Sequence, residues 1–281
     1  MVFEQIYSVD FLKQHPWYGL LLGAGYSVFG IALAMFLFPK DPALVAVAIT
    51  SILLLPSLYN FTSLEESAEK NSVFSLLQIW QENKTLICLY LALFFGSFFV
   101  FAFFSLVLPS LSANFLFKQQ LDVLFGVGHA FSSSVFMNLL TNNFKVLMLC
   151  FLISLIAGNG SIFLIIWNAS VWGTIFGTIA KTAALSIGGS SMVVFVLILL
   201  SVLPHVFLEI LSYLFGVISG TVISEGLVKE KLLSRELYTV IMSNIAILIA
   251  GIVVLVIAVG VETWVLNNFT TYAKITRLVF P

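Results

Sequence analysis

From Asn143 to Ala184 the chain runs for about 40 residues with only Lys145 and Lys181 charged, and from Gly189 to Ser224 about 35 more carry one carboxylate, Glu209. A helix needs about 20 apolar residues to cross a hydrocarbon core about 30 Å thick. Every backbone polar group must also be paired inside the segment, so runs like these specify transmembrane helices. Composition extends this to the whole molecule. Of 281 residues, 60% are hydrophobic and 9% charged, and the mean hydropathy is +1.12. Soluble domains carry about a quarter charged residues. The fold class is therefore all-α, a polytopic transmembrane bundle of about seven spans with lipid as its solvent. No length remains for a sizeable soluble catalytic domain. The net charge of −1, without a basic run, excludes a nucleic-acid partner. Cys88 and Cys150 lie in apolar runs and read as packing residues, not as a disulfide or metal pair. The opening Met-Val-Phe-Glu-Gln lacks the basic region of a cleavable signal peptide, so the first internal span is expected to direct insertion.

Two apolar stretches, about 17–38 and 43–59, flank Pro39-Lys40-Asp41-Pro42 and predict a tight helical hairpin. Between Asn60 and Lys84, Glu65, Glu66, Glu69 and Lys70 precede Val73, Phe74, Leu76, Leu77, Ile79 and Trp80, the pattern of an amphipathic helix on the membrane surface or of a solvated connector. A third span is expected from about Thr85 to Leu108. The mixed stretch 110–142 then reads as short interfacial helices. Gly158-Asn159-Gly160 divides the long run into two spans, and Pro204 is expected to break the next helix at membrane depth. The last span covers about 237–266. This divides the chain into residues 1–84, a hairpin with its surface helix, and residues 85–281, a five-span core. Lys and Arg fall six to each side of such a topology, so charge does not decide orientation.

Polar groups at membrane depth need an explanation, because an ionisable side chain at a helix centre costs about 2.5–3.5 kcal/mol on insertion scales. The ionisable candidates are His205, Glu209 and Glu262, joined by the amides of Asn143, Asn159, Asn168 and Asn244. His205 and Glu209 are four apart and share a helix face, so they are expected to pair on a half-helix opening at Pro204. Two readings stay open: a buried latch that fixes helix packing, and a site for a proton, ion or solute. His-Glu-x-x-His is absent and no nucleophile motif surrounds Ser201 or Ser212, so the chain is read as non-enzymatic, with no metal and no cofactor. Gly19/Gly23, Gly173/Gly177 and the stripe Ser212, Gly216, Gly220, Ser224 mark close helix contacts, within one chain or across a homo-oligomer.

Asn143, Gly158-x-Gly160, Asn168, Gly173, Pro204-His205-x-x-x-Glu209, Gly216 and Glu262, taken together, resemble the stage II sporulation protein M family over about 85–266. His15-Pro16-Trp17 and Glu65-Glu66 resemble its archaeal members. Where the family usually has glycine after the proline and histidine, Val206 stands here. In spore formers the resemblance implies a multi-pass component of the cell membrane that recruits cell-wall hydrolases without being one. The function expected for this chain is a non-enzymatic membrane scaffold for an envelope or membrane-remodelling protein partner. Its alternative is a transporter or channel using His205 and Glu209, and the shared polar core is expected to be His205, Glu209, Asn168, Asn143 and Glu262.

Overall fold

The computed structural model describes residues 9–69, 76–127, 135–231 and 234–268, and their regular structure is entirely helical. Helix α1 covers Val9–Gln14, and a 3-10 turn at Pro16–Tyr18 leads into α2, Gly19–Leu37. The Pro39–Pro42 link turns the chain into α3, Pro42–Glu69, where Pro42 takes the first helical position and loses no bond there. Next comes α4, Leu76–Val107, which stops just ahead of Pro109. Two short helices follow, α5 at Ser110–Leu116 and α6 at Lys118–Val127. Then come α7, Val135–Ala157, a 3-10 turn at Gly158–Ser161, and α8, Ile162–Ile187. The last described helices are α9, Ser191–Lys229, and α10, Arg235–Asn268.

Among the described residues six helical stretches are long and apolar enough to cross a membrane. One of them, Phe136–Ile187, is 52 residues long and is folded at Gly158–Ser161 into α7 and α8. This gives seven helices of spanning length among the described residues, in a membrane protein. Their directions follow from glycine contacts. In the α2–α3 hairpin Gly30 faces Ala46 and Thr50. Gly19 and Gly23 seat α2 on Leu89, Ala92 and Leu93 of α4, running parallel to it. Gly173 and Gly177 seat α8 on Phe98, Ala102 and Ser105, also parallel to α4. Helix α9 runs parallel to α7 through Gly216 and Gly220, and antiparallel to α10, where Ser212 Oγ donates to Gly251 O at 2.9 Å and Ser219 Oγ to Asn244 O at 2.6 Å. One face therefore gathers the starts of α2, α4, α8 and α10 with the ends of α3, α7 and α9. A single apolar cluster extends from Leu12 to Leu255.

Three expectations are corrected. Helix α9 is not broken at Pro204 and continues through it as 39 residues. Pro204 is exposed at the bundle's outside, and in hydrocarbon no water competes for the neighbouring backbone groups, so one missing N–H does not open the turn. Among its described residues the 60–84 stretch forms no separate surface helix. Its first part prolongs α3 to Glu69 and its last opens α4 at Leu76, in a sequence without glycine or proline from Ser57 to Phe95. Residues 70–75, with Val73 and Phe74, lie outside the described residues, as do the side chains of Glu65, Glu66 and Trp80. Finally, the mixed stretch 110–142 yields α5 and α6 as short helices, but α7 opens already at Val135.

Helix α8 ends on Gly188 in the left-handed region (φ 66), with the amides of Gly188 and Gly189 both turned onto Ala184 O. Only glycine adopts that conformation without a Cβ penalty. Gly188→Ala is expected to cost about 1 kcal/mol, a fall of about 2–4 °C in the melting midpoint in detergent. An unchanged midpoint would show that this cap does not hold the end of α8.

Candidate functional site

Helices α7 and α9 approach closely because glycine leaves backbone against backbone. Gly216 lies on Leu147, and Gly220 on Phe151 and Ser154. Close approach in turn lets a short side chain bridge the pair. Asn143 Nδ2 donates to Glu209 Oε1 at 3.1 Å, and both residues are buried. From α10, Glu262 brings a second carboxyl into hydrogen-bonding contact with that of Glu209. Such a contact is a hydrogen bond only when one oxygen carries a proton, since ionised carboxylates accept and do not donate. Glu262 Oε2 is buried, with no hydrogen-bond donor among the described residues. The site is thus a three-helix junction of one carboxamide and two carboxyls.

His205 occupies the same face of α9 one turn earlier, but it does not pair with Glu209. Its Nδ1 is buried and has no hydrogen-bond partner among the described residues. The expectation of a His205–Glu209 pair is corrected: the carboxylate is taken by Asn143 and Glu262, partners from neighbouring helices. Asn168 is also elsewhere, because its amide donates to Leu164 O at 2.8 Å within α8 and so satisfies itself. Asn244 does the same with Val240 O at 2.9 Å, and Asn159 accepts from Tyr90 Oη at 3.4 Å.

Tyr213 is the residue that the sequence reading missed. It lies one turn after Glu209, is 1% exposed, and is within electrostatic reach of both carboxyls. Its ring meets Trp172 of α8 at 6.5 Å between centroids, so it connects the polar junction to the α4–α8 aromatic core. The signal was available, since His205, Glu209 and Tyr213 recur at spacing four on one helix face. Among the described residues no group of three or more His, Cys, Asp or Glu is placed to hold a metal ion.

The junction falls within one recognisable unit. Residues 91–265, from α4 to α10, match the family model described as Stage II sporulation protein M. The chain belongs to that family. The matched segment contains Asn143, Gly158–Gly160, Glu209, Tyr213 and Glu262, while α1 to α3 lie ahead of it. No curated protein and no solved structure matches the chain.

Proposed function

We propose that this member of the stage II sporulation protein M family is a non-enzymatic scaffold of the cell membrane that holds an envelope-organising or membrane-remodelling protein partner. The observation that carries the reading is where charge is placed. Inside the bundle three cross-helix bonds use polar groups to join α9 to its neighbours, Asn143 to Glu209, Ser212 to Gly251 and Ser219 to Asn244, while His205 Nδ1 and Glu262 Oε2 stay buried. At the α9–α10 junction, Lys229, Lys231, Arg235 and Glu236 are all exposed within a few residues. Exposed charge of both signs gives registry and specificity to a docking partner. The recruiting role implied by the family resemblance agrees with this.

The test is crosslinking in native membranes followed by mass spectrometry, comparing wild type with a Lys231→Glu/Arg235→Glu variant at equal folded amounts. A stoichiometric protein partner is expected with wild type, and at least tenfold less of it with the variant, as for the loss of about 1.4 kcal/mol or more of interaction. A second reading rests on the two carboxyls from α9 and α10 meeting inside the bundle, with the buried His205 one turn away, since ionisable groups at that depth commonly mark proton or ion paths. If the protein is recovered alone and proteoliposomes show proton or solute flux that Glu209→Gln abolishes, transport replaces the scaffold reading.

A further inference from the structure

On the face where α3, α7 and α9 end, the helices leave a cavity of about 570 Å³, well within the range of ligand clefts, about 300–1,000 Å³. Its described lining is Leu55, Pro56 and Tyr59 of α3, Ala157 and the Gly158–Gly160 turn, and Glu225 of α9. The depth of this cavity follows from the helices. The apolar span of α3 closes at Tyr59, α7 ends at Ala157, and Glu225 lies one turn before the end of α9. Helix α3 itself continues to Glu69, but its sequence turns polar after Tyr59, at Asn60 and Glu65, so the cavity lies where the apolar parts of the three helices give out, a position that corresponds to the edge of the hydrocarbon. Tyr59 is exposed there, as aromatic residues at that boundary commonly are.

The lining is divided chemically. The α3 wall is apolar and aromatic, while the opposite wall has a carboxylate at Glu225 and the carboxamide of Asn159, which Tyr90 holds at 3.4 Å. Between them the turn presents bare peptide groups: Gly158 has φ 54, and a Cβ built there would meet nothing within 4 Å. No Lys, Arg or His belongs to the described lining. One cation stands just beyond it, Lys229, whose ammonium is 3.7 Å from the Glu225 carboxylate on a half-exposed side chain. The order from the membrane outward is thus an apolar wall, a hydrogen-bond-accepting carboxylate, and an adjacent ammonium.

We propose that this cavity binds the headgroup of a phospholipid bearing a primary ammonium. The ammonium donates to Glu225, the phosphodiester lies toward Lys229, and the acyl chains follow Leu55 and Pro56 down α3. A quaternary ammonium of the same charge has no N–H to donate, and an anionic headgroup without an amine meets the carboxylate unfavourably, so both are discriminated against. The inference does not rest on the scaffold reading, and it is read out by lipid, not by a protein partner.

The purified, delipidated full chain is titrated with ethanolamine, choline and glycerol phospholipids of identical acyl chains. Retained lipid is followed by native mass spectrometry and the melting midpoint is measured alongside. The ethanolamine lipid is expected to bind on the order of tenfold more tightly than the choline lipid, the effect of one charge-assisted hydrogen bond. Glu225→Gln should erase that preference. Ala157→Phe, which fills the cavity without altering charge, should abolish retention, and it decides the matter if Glu225→Gln does not fold. Equal binding of ethanolamine and choline lipids, a preference for the glycerol lipid, or a preference that survives Ala157→Phe each overturns the proposal.

Discussion

Gly220→Val is expected to remove most of the folded protein, seen as loss of the monodisperse peak in size-exclusion chromatography of the detergent extract. A Cβ at Gly220 would be driven into Phe151 O of α7, with Ser154 Cβ at 2.6 Å and Leu155 N at 3.0 Å. Two of these three obstacles are backbone atoms, which cannot turn away as the tip of a side chain can. The clash is relieved only by moving α7 off α9, and that separation also stretches the Asn143–Glu209 bond about three turns away on the same interface. Overpacking a close-packed core costs about 1–3 kcal/mol and more where backbone must shift, against a total folding stability of about 5–15 kcal/mol. Gly220→Ala should show a milder form of the same defect. Gly25→Ala and Gly260→Ala are the controls, since a Cβ at either meets nothing within 4 Å and alanine is the better helix former. They should leave the peak unchanged or raise the melting midpoint. A Gly220→Val protein that folds at wild-type yield would show that this glycine does not set the α7–α9 distance.

Much of this packing is legible in the sequence, because small residues four apart have few other uses in a lipid-facing helix. Gly19/Gly23, Gly173/Gly177 and Gly216/Gly220 each seat on another helix. The Gly158-Asn159-Gly160 break is equally plain, since only glycine readily adopts the positive φ found at Gly158. Which helix receives each stripe was not readable, because it depends on contacts between residues far apart in the chain. The same limit explains the polar core. Spacing of four places His205 beside Glu209 on one face, but a buried carboxylate chooses among all the helices around it, and Asn143 and Glu262 lie 66 and 53 residues away. Asn168 fails as a core residue for a local reason: a mid-helix carboxamide with no cross-helix partner can bond the carbonyl four residues back. Pro204 was over-read, since a proline breaks a helix far more readily in water than in lipid.

The Glu209 series is expected to separate a latch from a working ion site. Glu209→Leu removes the acceptor of Asn143 and the hydrogen-bonding neighbour of Glu262 together, so two buried polar groups are stranded. Each such group costs about 1–3 kcal/mol, and the melting midpoint should fall by roughly 5–10 °C. Asn143→Leu strands part of one carboxyl group and should fall by about half as much. Glu209→Gln differs in kind. Its side-chain oxygen still accepts from Asn143, and its NH₂ supplies to Glu262 the hydrogen that a carboxyl pair must otherwise share. It should remain within about 1 kcal/mol of wild type, at nearly normal yield. His205→Leu should be neutral or stabilising, because it removes a buried nitrogen that has no hydrogen-bond partner among the described residues. For a latch, hydrogen bonding matters and charge does not, so the variants rank by the bonds they keep. If Glu209→Gln were as damaging to the melting midpoint as Glu209→Leu, the ionised carboxylate itself would be needed, and hydrogen bonding alone would not explain the junction. If Glu209→Gln folded normally yet abolished flux in proteoliposomes, the same carboxyl pair that holds α9 to α10 would be carrying the proton or ion.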